Sequence, residues 1–267
     1  MKELSLQELK EIEFEILKMF DAFCKENNIR YYLSHGTLLG AIRYKKFIPW
    51  DDDVDLLIPR EDYNRMLTLF KDNERYKHFD FENNPEYRYH IDKLCDITTR
   101  KDEYGYDNGV ELGVDIDLFP LDAWDDDLEK AKQEVKYIKG NRFFLNLTKL
   151  KKPDSVNPVK RFVKGIVMMF CKMIGSRYFI KNIIKASSKE WQPGNKYLGC
   201  KAWCVYGEKG IIPAEVFADT VDIEFEGKMF PAPIGWDTYL TCIYGDYLPE
   251  PPKEKQKTHH GFKAYRL

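Results

Sequence analysis

The chain has 267 residues, a formal net charge of −2, and 43% hydrophobic residues. This length fits one large domain or a core with an appendage, and this apolar content excludes wholesale disorder. The near-neutral charge does not favour a general nucleic-acid binder, so no nucleic-acid partner is expected. Six scattered cysteines in a chain too long to need disulfides predict reduced thiols and a cytoplasmic location.

Residues 1–24 predict an N-terminal amphipathic helix. Ser5 and Glu8 form a capping-box pattern. Apolar residues then follow at helical spacing, namely Leu9, Ile12, Ile16, Phe20 and Phe23. The segment is acidic and lacks a basic start with an apolar run behind it, so no signal peptide is expected. With no run of 18 apolar residues, no membrane-spanning helix is expected either.

Residues 25–150 predict a catalytic core of strands and helices. The predicted strands cover 29–34, 53–58, 76–81, 87–99 and 113–120, and the predicted helices cover 36–44, 60–70 and 126–147. A soft boundary is expected near residue 150, in the segment LKKPDSVNP. For residues 151–267, the sequence predicts a basic helical segment followed by segments that are interrupted by Gly and Pro. We expect this region to pack on the core as one unit with it.

Positive charge is concentrated in residues 149–190, which hold eleven Lys and Arg against two acidic residues. Apolar residues and lysines are interleaved within this segment, for example in RFVKGIVMMFCKMIG. One interpretation is a core helix with a solvated basic face. The other is a peripheral helix on an anionic membrane surface.

The stretch FIPWDDDVDLLIP, residues 47–59, places aspartates at the mouth of an apolar strand, at positions 51, 52, 53 and 55. Alternate side chains of a strand share a face, so Asp53 and Asp55 are predicted to point the same way. Carboxylates this close repel each other, and burial adds to the cost. A bound divalent cation or exposure at a strand end is the usual resolution.

The same pattern recurs at Asp115 and Asp117, again within an apolar strand. Two neighbouring strands that each offer carboxylates on one face can build one site. Mg²⁺, or Mn²⁺, prefers hard oxygen ligands, and Mg²⁺ takes few of them from the protein and completes its shell with phosphate and water. The doubled pattern therefore indicates phosphoryl-type chemistry.

Four interpretations of the aspartates compete. The first is a solvated acidic turn. The second is an EF-hand loop, which we reject because Leu56 stands where the loop needs Gly, and Pro59 stands at its ninth position. The third is the Asp-x-Asp of a sugar-nucleotide glycosyltransferase, and the fourth is a metal site of the nucleotidyltransferase type.

The residues before the aspartates favour the fourth interpretation. Gly36 and Thr37 open a predicted helix directly after a strand. A Gly allows close approach to a phosphate, a hydroxyl adds a donor, and a helix N-terminus favours anions. Gly40 and Arg43 follow and are candidate contacts for a diphosphate, together with Lys45 and Lys46.

The stretch LSHGTLLGAIRYKKFIPWDDDVDLLIPREDY, residues 33–63, closely resembles the signature of the LicD family of phosphocholine transferases, which is related to the fukutin-type ribitol-phosphate transferases. Residues 116–122, 206–217, 225–240 and 244–260 also resemble LicD segments in family order. The resemblance covers roughly residues 25–260. It implies an α+β fold, with a nucleotidyltransferase-like mixed sheet flanked by helices and a helical or irregular C-terminal half.

The resemblance also implies an activity, the transfer of a phosphorylated alcohol to a hydroxyl of a cell-surface glycan or glycolipid. The transferred group is most often phosphocholine from CDP-choline, and CMP is released. Lipopolysaccharide and teichoic acid are examples of the acceptor. Gly36 and Thr37 fall on the phosphate-loop motif. The catalytic and metal-binding candidates are Asp53, Asp55 and Asp117, with Asp51 assisting. Asp115 is the less certain member, because the family commonly has an apolar residue there.

Three further points remain open at this stage. Lys93 is either an edge-strand lysine or a phosphate contact, because its place resembles a basic position in the family. His35 is expected to be structural, whereas His259 and His260 belong either to a mobile tail or to a substrate contact. The rival functions are a same-fold transferase that uses CDP-ribitol, CDP-glycerol or an NTP, and a catalytically silent nucleotide- or glycan-binding domain.

Overall fold

The computed structural model describes residues 1–258 and 261–267 and confirms the α+β class. Within these residues the helices are α1 (Leu6–Asn27), α2 (His35–Tyr44), α3 (Arg60–Leu69), α4 (Leu128–Lys149), α5 (Pro158–Ile174), α6 (Ser176–Ser187) and α7 (Trp236–Tyr244). The strands are β1 (Lys2–Glu3), β2 (Tyr32–Leu33), β3 (Asp55–Pro59), β4 (Tyr76–Phe79), β5 (Asp92–Glu103), β6 (Leu112–Ala123), β7 (Tyr197–Gly199), β8 (Ile212–Pro213), β9 (Thr220–Phe225), β10 (Lys228–Pro233) and β11 (Phe262–Arg266).

Nine of the described strands form one mixed sheet. Its main order is β1-β11-β5-β6-β3-β2, with β4 alongside β5, and with β7 joining β6 to β8. Strands β3 and β6 are parallel and the other pairs are antiparallel. Strands β7 and β11 come from the C-terminal half of the chain, so both halves contribute to the sheet that carries the aspartates. Strands β9 and β10 form a separate hairpin.

Helix α1 covers one face of the sheet and begins as predicted. The Ser5 hydroxyl accepts from the Glu8 N–H at 3.3 Å, and the Glu8 carboxylate accepts from the Ser5 N–H at 2.9 Å. The helix ends at Asn28 in the left-handed region, with φ of 52°. Its predicted apolar stripe is buried in the main core at Leu9, Ile12, Ile16 and Phe20.

A second, smaller core lies between α4, α5 and α6. Its fully buried members include Ala131, Ile138, Leu145, Ile180 and Ile183. All six cysteines are unpaired. Within residues 1–258 and 261–267, no helix is both long and apolar enough to cross a membrane.

The first acidic segment differs from its prediction in one respect. Strand β3 begins at Asp55, so the prediction that Asp53 lies within the strand is wrong. The chain turns before this point, where the Asp51 N–H donates to the Ile48 carbonyl at 3.0 Å. The Asp55 N–H donates to the Thr37 hydroxyl at 2.8 Å, so a side chain from α2 takes this strand donor. Residues 51–54 therefore form a loop that leads into the strand.

Beyond the acidic segment, a buried ion pair joins α3 to the end of β6. The Arg60 guanidinium donates twice to Asp122, from Nε to Oδ1 and from Nη2 to Oδ2, each at 2.7 Å. The Asp122 side chain is fully buried and that of Arg60 is 10% exposed. Removing one partner of such a pair leaves an uncompensated buried charge.

We expect Asp122→Ala to lower the free energy of unfolding by about 3–5 kcal/mol, because it leaves the Arg60 guanidinium buried without its anion. The matched control is Glu15→Ala, which breaks an exposed pair with Lys18 and is expected to cost less than about 1 kcal/mol. Urea unfolding of the three proteins measures both losses. Equal losses for the two variants would contradict the role of the buried pair.

Candidate active site

Most of the predicted site residues line one large cleft of about 1150 Å³. Its lining comes from α1, the start of α2, the loop before β3, strands β5 and β6, the end of α4, and segments near residues 203–206 and 244–251. The sequence places these elements far apart, and the sheet brings them together. The cleft is large enough for a nucleotide-sized ligand.

The centre of the acidic wall is a pair of carboxylates on adjacent strands. Asp55 opens β3, and Asp117 lies directly beside it in the parallel register with β6. Asp53 lines the cleft two residues earlier, and Asp51 and Asp52 line it as well. The structure therefore brings the two acidic segments together in one cleft.

The charge around Asp55 is strongly unbalanced. Burial raises the pKa of the Asp55 carboxyl well above its usual range, and the negative charges of Asp53, Asp117 and Asp51 raise it further. A divalent cation would relieve this repulsion, and every candidate ligand is a hard carboxylate oxygen, as Mg²⁺ or Mn²⁺ prefers.

The spacing of these ligands bears on what kind of metal site they could form. Among the residues that the structure describes, no three His, Cys, Asp or Glu side chains form a ready metal centre. Mg²⁺ commonly uses only one or two protein carboxylates and completes its shell with substrate phosphate and water. The donor set therefore fits an ion that is shared with a phosphate-bearing substrate.

Lys93 lies in the middle of the sheet. It is the register partner of Phe79 on β4 and of Asp117 on β6, so the edge-strand interpretation is wrong. Its ammonium contacts Asp117, and it contacts Asp115 at 2.7 Å. Burial works to lower the pKa of Lys93, but the two carboxylates outweigh it and hold that pKa well above its ordinary value.

Asp115 is neutralised from two sides. Besides Lys93, it contacts Lys101, which lies further along β5. Burial alone would raise the pKa of Asp115, but Lys101 and Lys93 bring that pKa below its usual range. Asp115 therefore holds two lysines in place, whereas Asp117 lies beside Asp55. This arrangement gives the two aspartates different surroundings.

The glycine-threonine motif divides into cleft residues and supporting residues. Gly36 lines the cleft, and a Cβ there would lie 2.6 Å from the Asp51 carboxylate. Thr37 is buried, and its hydroxyl anchors the start of β3. Gly40 lies outside the cleft lining, where a Cβ would lie 2.6 Å from the Lys46 carbonyl oxygen.

Arg43 also lines the cleft, but its guanidinium is engaged. It donates to the carbonyl of Tyr247 and, at 2.7 Å, to that of Pro249. Arg43 therefore ties the C-terminal segment to α2. Its role as a diphosphate contact stays a prediction.

His35 is a neutral packing residue at the base of the cleft. Its ring stacks on Tyr206 with centroids 5.5 Å apart and an interplanar angle of 17°. Burial lowers the pKa of His35 to about 3. Its Nδ1 lies 3.9 Å from Asp55 Oδ2, beyond hydrogen-bond distance. His259 and His260 lie outside the described residues.

Comparison with known proteins gives the family. The chain is 31% identical over 273 residues to the lipopolysaccharide cholinephosphotransferase LicD of Haemophilus influenzae, and the match covers 100% of both chains. The chain belongs to the LicD family. A family model described as LicD/FKTN/FKRP, nucleotidyltransferase domain, matches residues 28–149.

Two further matches cover shorter parts of this chain. An uncharacterized protein of Rickettsia typhi is 41% identical over 81 residues, which cover 29% of this chain and 24% of that protein. Mannosyltransferase regulator 4 of Saccharomyces cerevisiae is 29% identical over 102 residues, which cover 38% of this chain and 8% of that protein.

Sequence reasoning missed several charged residues of the cleft, among them Glu13, Lys101 and Lys149. Glu13 lies on α1, before the segment that the LicD family model matches. It is 2% exposed, and its Oε2 has no hydrogen-bond partner among the described residues. Burial, followed by the charges of Asp53 and Asp115, raises its pKa well above the usual range. One signal was available, because Glu13 interrupts the apolar stripe of its helix.

We expect the two glycines of the LicD signature to differ in their effect on stability. Gly40→Ala should lower the free energy of unfolding by about 1–3 kcal/mol, because the new methyl meets rigid backbone. Gly36→Ala should cost less, because the Asp51 side chain that it meets can rotate. Urea unfolding of both variants tests this order. A larger loss for Gly36→Ala would contradict the assignment of Gly40 as the supporting residue.

Proposed function

We propose that this protein transfers phosphocholine from CDP-choline to a hydroxyl of a cell-surface glycan or glycolipid precursor, such as lipopolysaccharide, and releases CMP. The observation that carries the proposal is the register pairing of Asp55 with Asp117 in a cleft of nucleotide size. Similarity over the full chain to a lipopolysaccharide cholinephosphotransferase supports phosphocholine as the transferred group and lipopolysaccharide as the acceptor class.

In this proposal, Asp53, Asp55 and Asp117 would hold Mg²⁺ or Mn²⁺, with Asp51 assisting. The bound ion would neutralise charge on the diphosphate and on the departing nucleotide. Asp115 contributes indirectly, because it fixes Lys93 beside Asp117. Gly36 leaves the space that the Asp51 carboxylate occupies.

The acceptor hydroxyl needs a base and a fixed direction of attack. Asp117 is proposed either to complete the shell of the ion or, in place of that role, to take the proton of this hydroxyl, and Lys93 fixes its carboxylate in position. The hydroxyl oxygen then bonds to the phosphorus that bears the choline, and the bond from that phosphorus to the oxygen of CMP breaks. Most of the rate enhancement would come from positioning and electrostatics.

Donor identity and the carboxylate role are tested together. CMP release is measured from CDP-choline, CDP-ethanolamine, CDP-ribitol and CDP-glycerol, with Mg²⁺ or with EDTA, using a cell-envelope glycolipid fraction as acceptor. We expect metal-dependent release from CDP-choline, and a loss of at least about 100-fold in Asp53→Ala, because an essential charge-stabilising group is removed. The control is Asp222→Asn, at an exposed position on β9 outside the cleft.

Three outcomes would change the proposal. Turnover of Asp53→Ala within tenfold of wild type would remove the metal assignment. Release from CDP-ribitol or CDP-glycerol alone would keep the reaction and change the donor. No release from any donor by the folded protein, together with nucleotide binding that needs no Mg²⁺, would favour a silent binding domain.

Peripheral contact with an anionic membrane is part of the proposal, through residues 149–190. Helix α5 exposes an apolar face, with Phe162 70%, Phe170 52% and Met173 68% exposed. A core helix with a solvated basic face would bury these side chains. Exposed Lys160 and Lys172 on the same helix supply positive charge. An apolar face beside lysines fits the surface of an anionic bilayer.

We expect the protein to float with vesicles that contain anionic phospholipid and not with neutral vesicles. Binding should weaken as salt rises, because the electrostatic part is screened. Phe162→Ser with Phe170→Ser should abolish flotation, whereas the control Tyr137→Ser, at an exposed aromatic residue of α4, should leave it unchanged. Equal flotation of all variants would remove α5 as the contact.

A further inference from the structure

Lys149, the last residue of α4, is a buried cation in the wall of the cleft. Its side chain lines the cleft, and the residue is 5% exposed. The ammonium lies 3.9 Å from the centroid of the Tyr89 ring and 5.8 Å from that of Tyr106. Within the described part of the chain, no carboxylate lies within ion-pair distance of it. A buried charge in this position is costly until an anion arrives.

The other cations of the cleft are already held by carboxylate or carbonyl oxygens. Lys93 contacts Asp115 and Asp117, Lys101 contacts Asp115, and the Arg43 guanidinium is bonded to backbone carbonyls. The acid with the largest effect on Lys149 is Glu103, which accepts from the Tyr89 hydroxyl at 2.6 Å. Among the described cleft residues, Lys149 is thus the cation best placed to meet an incoming anion.

The surroundings of Lys149 also make its ammonium easier to deprotonate. Burial lowers the pKa of Lys149 to about 8, with Glu103 opposing and with Lys93 and Arg142 adding to the shift. The groups that face it are Glu103 and Lys93 on β5, Arg142 on α4, and Tyr89, His90 and Tyr106. Burial keeps His90 neutral by lowering its pKa well below the ordinary value. Near pH 8, Lys149 is the group in this set that changes charge.

We propose that Lys149 binds a phosphate group of the substrate against the Tyr89 ring. Lys93 lies on the same ring, 5.4 Å from its centroid, so the position is next to the carboxylate site. The inference deepens the proposed function and rests on it for the identity of the substrate. The phosphate belongs either to the diphosphate of the donor or to a phosphorylated acceptor.

The position of Lys149 also argues against Tyr89 and Tyr106 as the choline site. A trimethylammonium needs open aromatic faces, and it is repelled by a cation that already occupies them. Tyr89 and Tyr106 hold Lys149, so they do not form the choline site. Tyr206 and Tyr244 line the same cleft on the acidic side, with their ring centroids 5.4 Å apart.

Binding by calorimetry is the first test. Lys149→Met should weaken CDP-choline binding at pH 7 by about 10–100-fold, as expected for loss of a charged contact. Wild-type affinity should fall about tenfold between pH 7 and pH 9, because Lys149 loses its proton. Lys149→Arg should keep the affinity without that fall, since Arg does not titrate in this range. The control is Lys136→Met, at an exposed position of the same helix.

The pKa of Lys149, measured by NMR of protein labelled at lysine Cε, is the second test, with Lys149→Arg used to assign the signal. Saturating inorganic pyrophosphate, with EDTA present, should raise this pKa by about one unit or more, because an anion stabilises the ammonium. CDP-choline and glucose 6-phosphate are then compared. A rise with CDP-choline places the donor at Lys149, and a rise with the sugar phosphate places a phosphorylated acceptor there.

The outcomes separate this inference from the proposed function. If pyrophosphate raises the pKa of Lys149 but wild type does not bind CDP-choline, Lys149 remains an anion site and CDP-choline is rejected as the donor. A pKa unchanged by all three probes overturns the role of Lys149. If Lys149→Met binds CDP-choline as wild type does, or keeps the fall in affinity above pH 8, the donor phosphate does not lie at Lys149. The role of Lys149 is then overturned unless glucose 6-phosphate raises its pKa.

Discussion

The parallel pairing of β3 with β6 is the constraint on which the cleft depends, because it places Asp55 and Asp117 side by side at the centre of the sheet. Neighbouring buried carboxylates repel, and the fold offsets that repulsion from the next strand over. Lys93 on β5 faces Asp117 in register, and Asp115 holds it there with help from Lys101. Lysines thus balance the negative charge on the β5 side, and the other carboxylates cluster at the mouth of β3, where a cation and a diphosphate would be held.

The parts of this arrangement that were predictable from sequence are local ones. The capping box of α1, helix α2 after a short strand, and the apolar strand that carries Asp55 each follow from residues within one short window. The repeat of the acidic pattern at Asp115 and Asp117 indicated a shared site, and the sheet confirmed their proximity. Several element bounds were displaced by a few residues. The start of β3 was placed two residues early, because no periodic pattern shows that the Thr37 hydroxyl accepts from the Asp55 N–H in place of a strand partner.

The rest was out of reach because it depends on contacts between distant segments. The position of Lys93 in the sheet depends on β4 and β6, which pair with its strand from opposite sides. The engagement of Arg43 depends on carbonyls about 200 residues away. Gly40 belongs to the same motif as Gly36, yet it serves backbone packing, and a motif match cannot separate the two roles. Lys149 begins a lysine-rich stretch, KLKK, that looks solvated in sequence, and only tertiary packing buries this first lysine.

Helix α4 connects the cleft to the second core. Its C-terminal end places Lys149 in the cleft, while its apolar side packs with α5 and α6 in the second core. The helix that exposes the apolar face is therefore packed directly against the helix that carries the proposed phosphate contact. In the proposed function, an acceptor anchored in a membrane would enter a cleft that has carboxylates on one side and Lys149 on the other. The carboxylates would face the metal and the choline, and Lys149 would face a phosphate. If that phosphate is the donor's, such a cleft fixes the direction in which CDP-choline lies, because the reversed orientation would set like charges against each other at both ends.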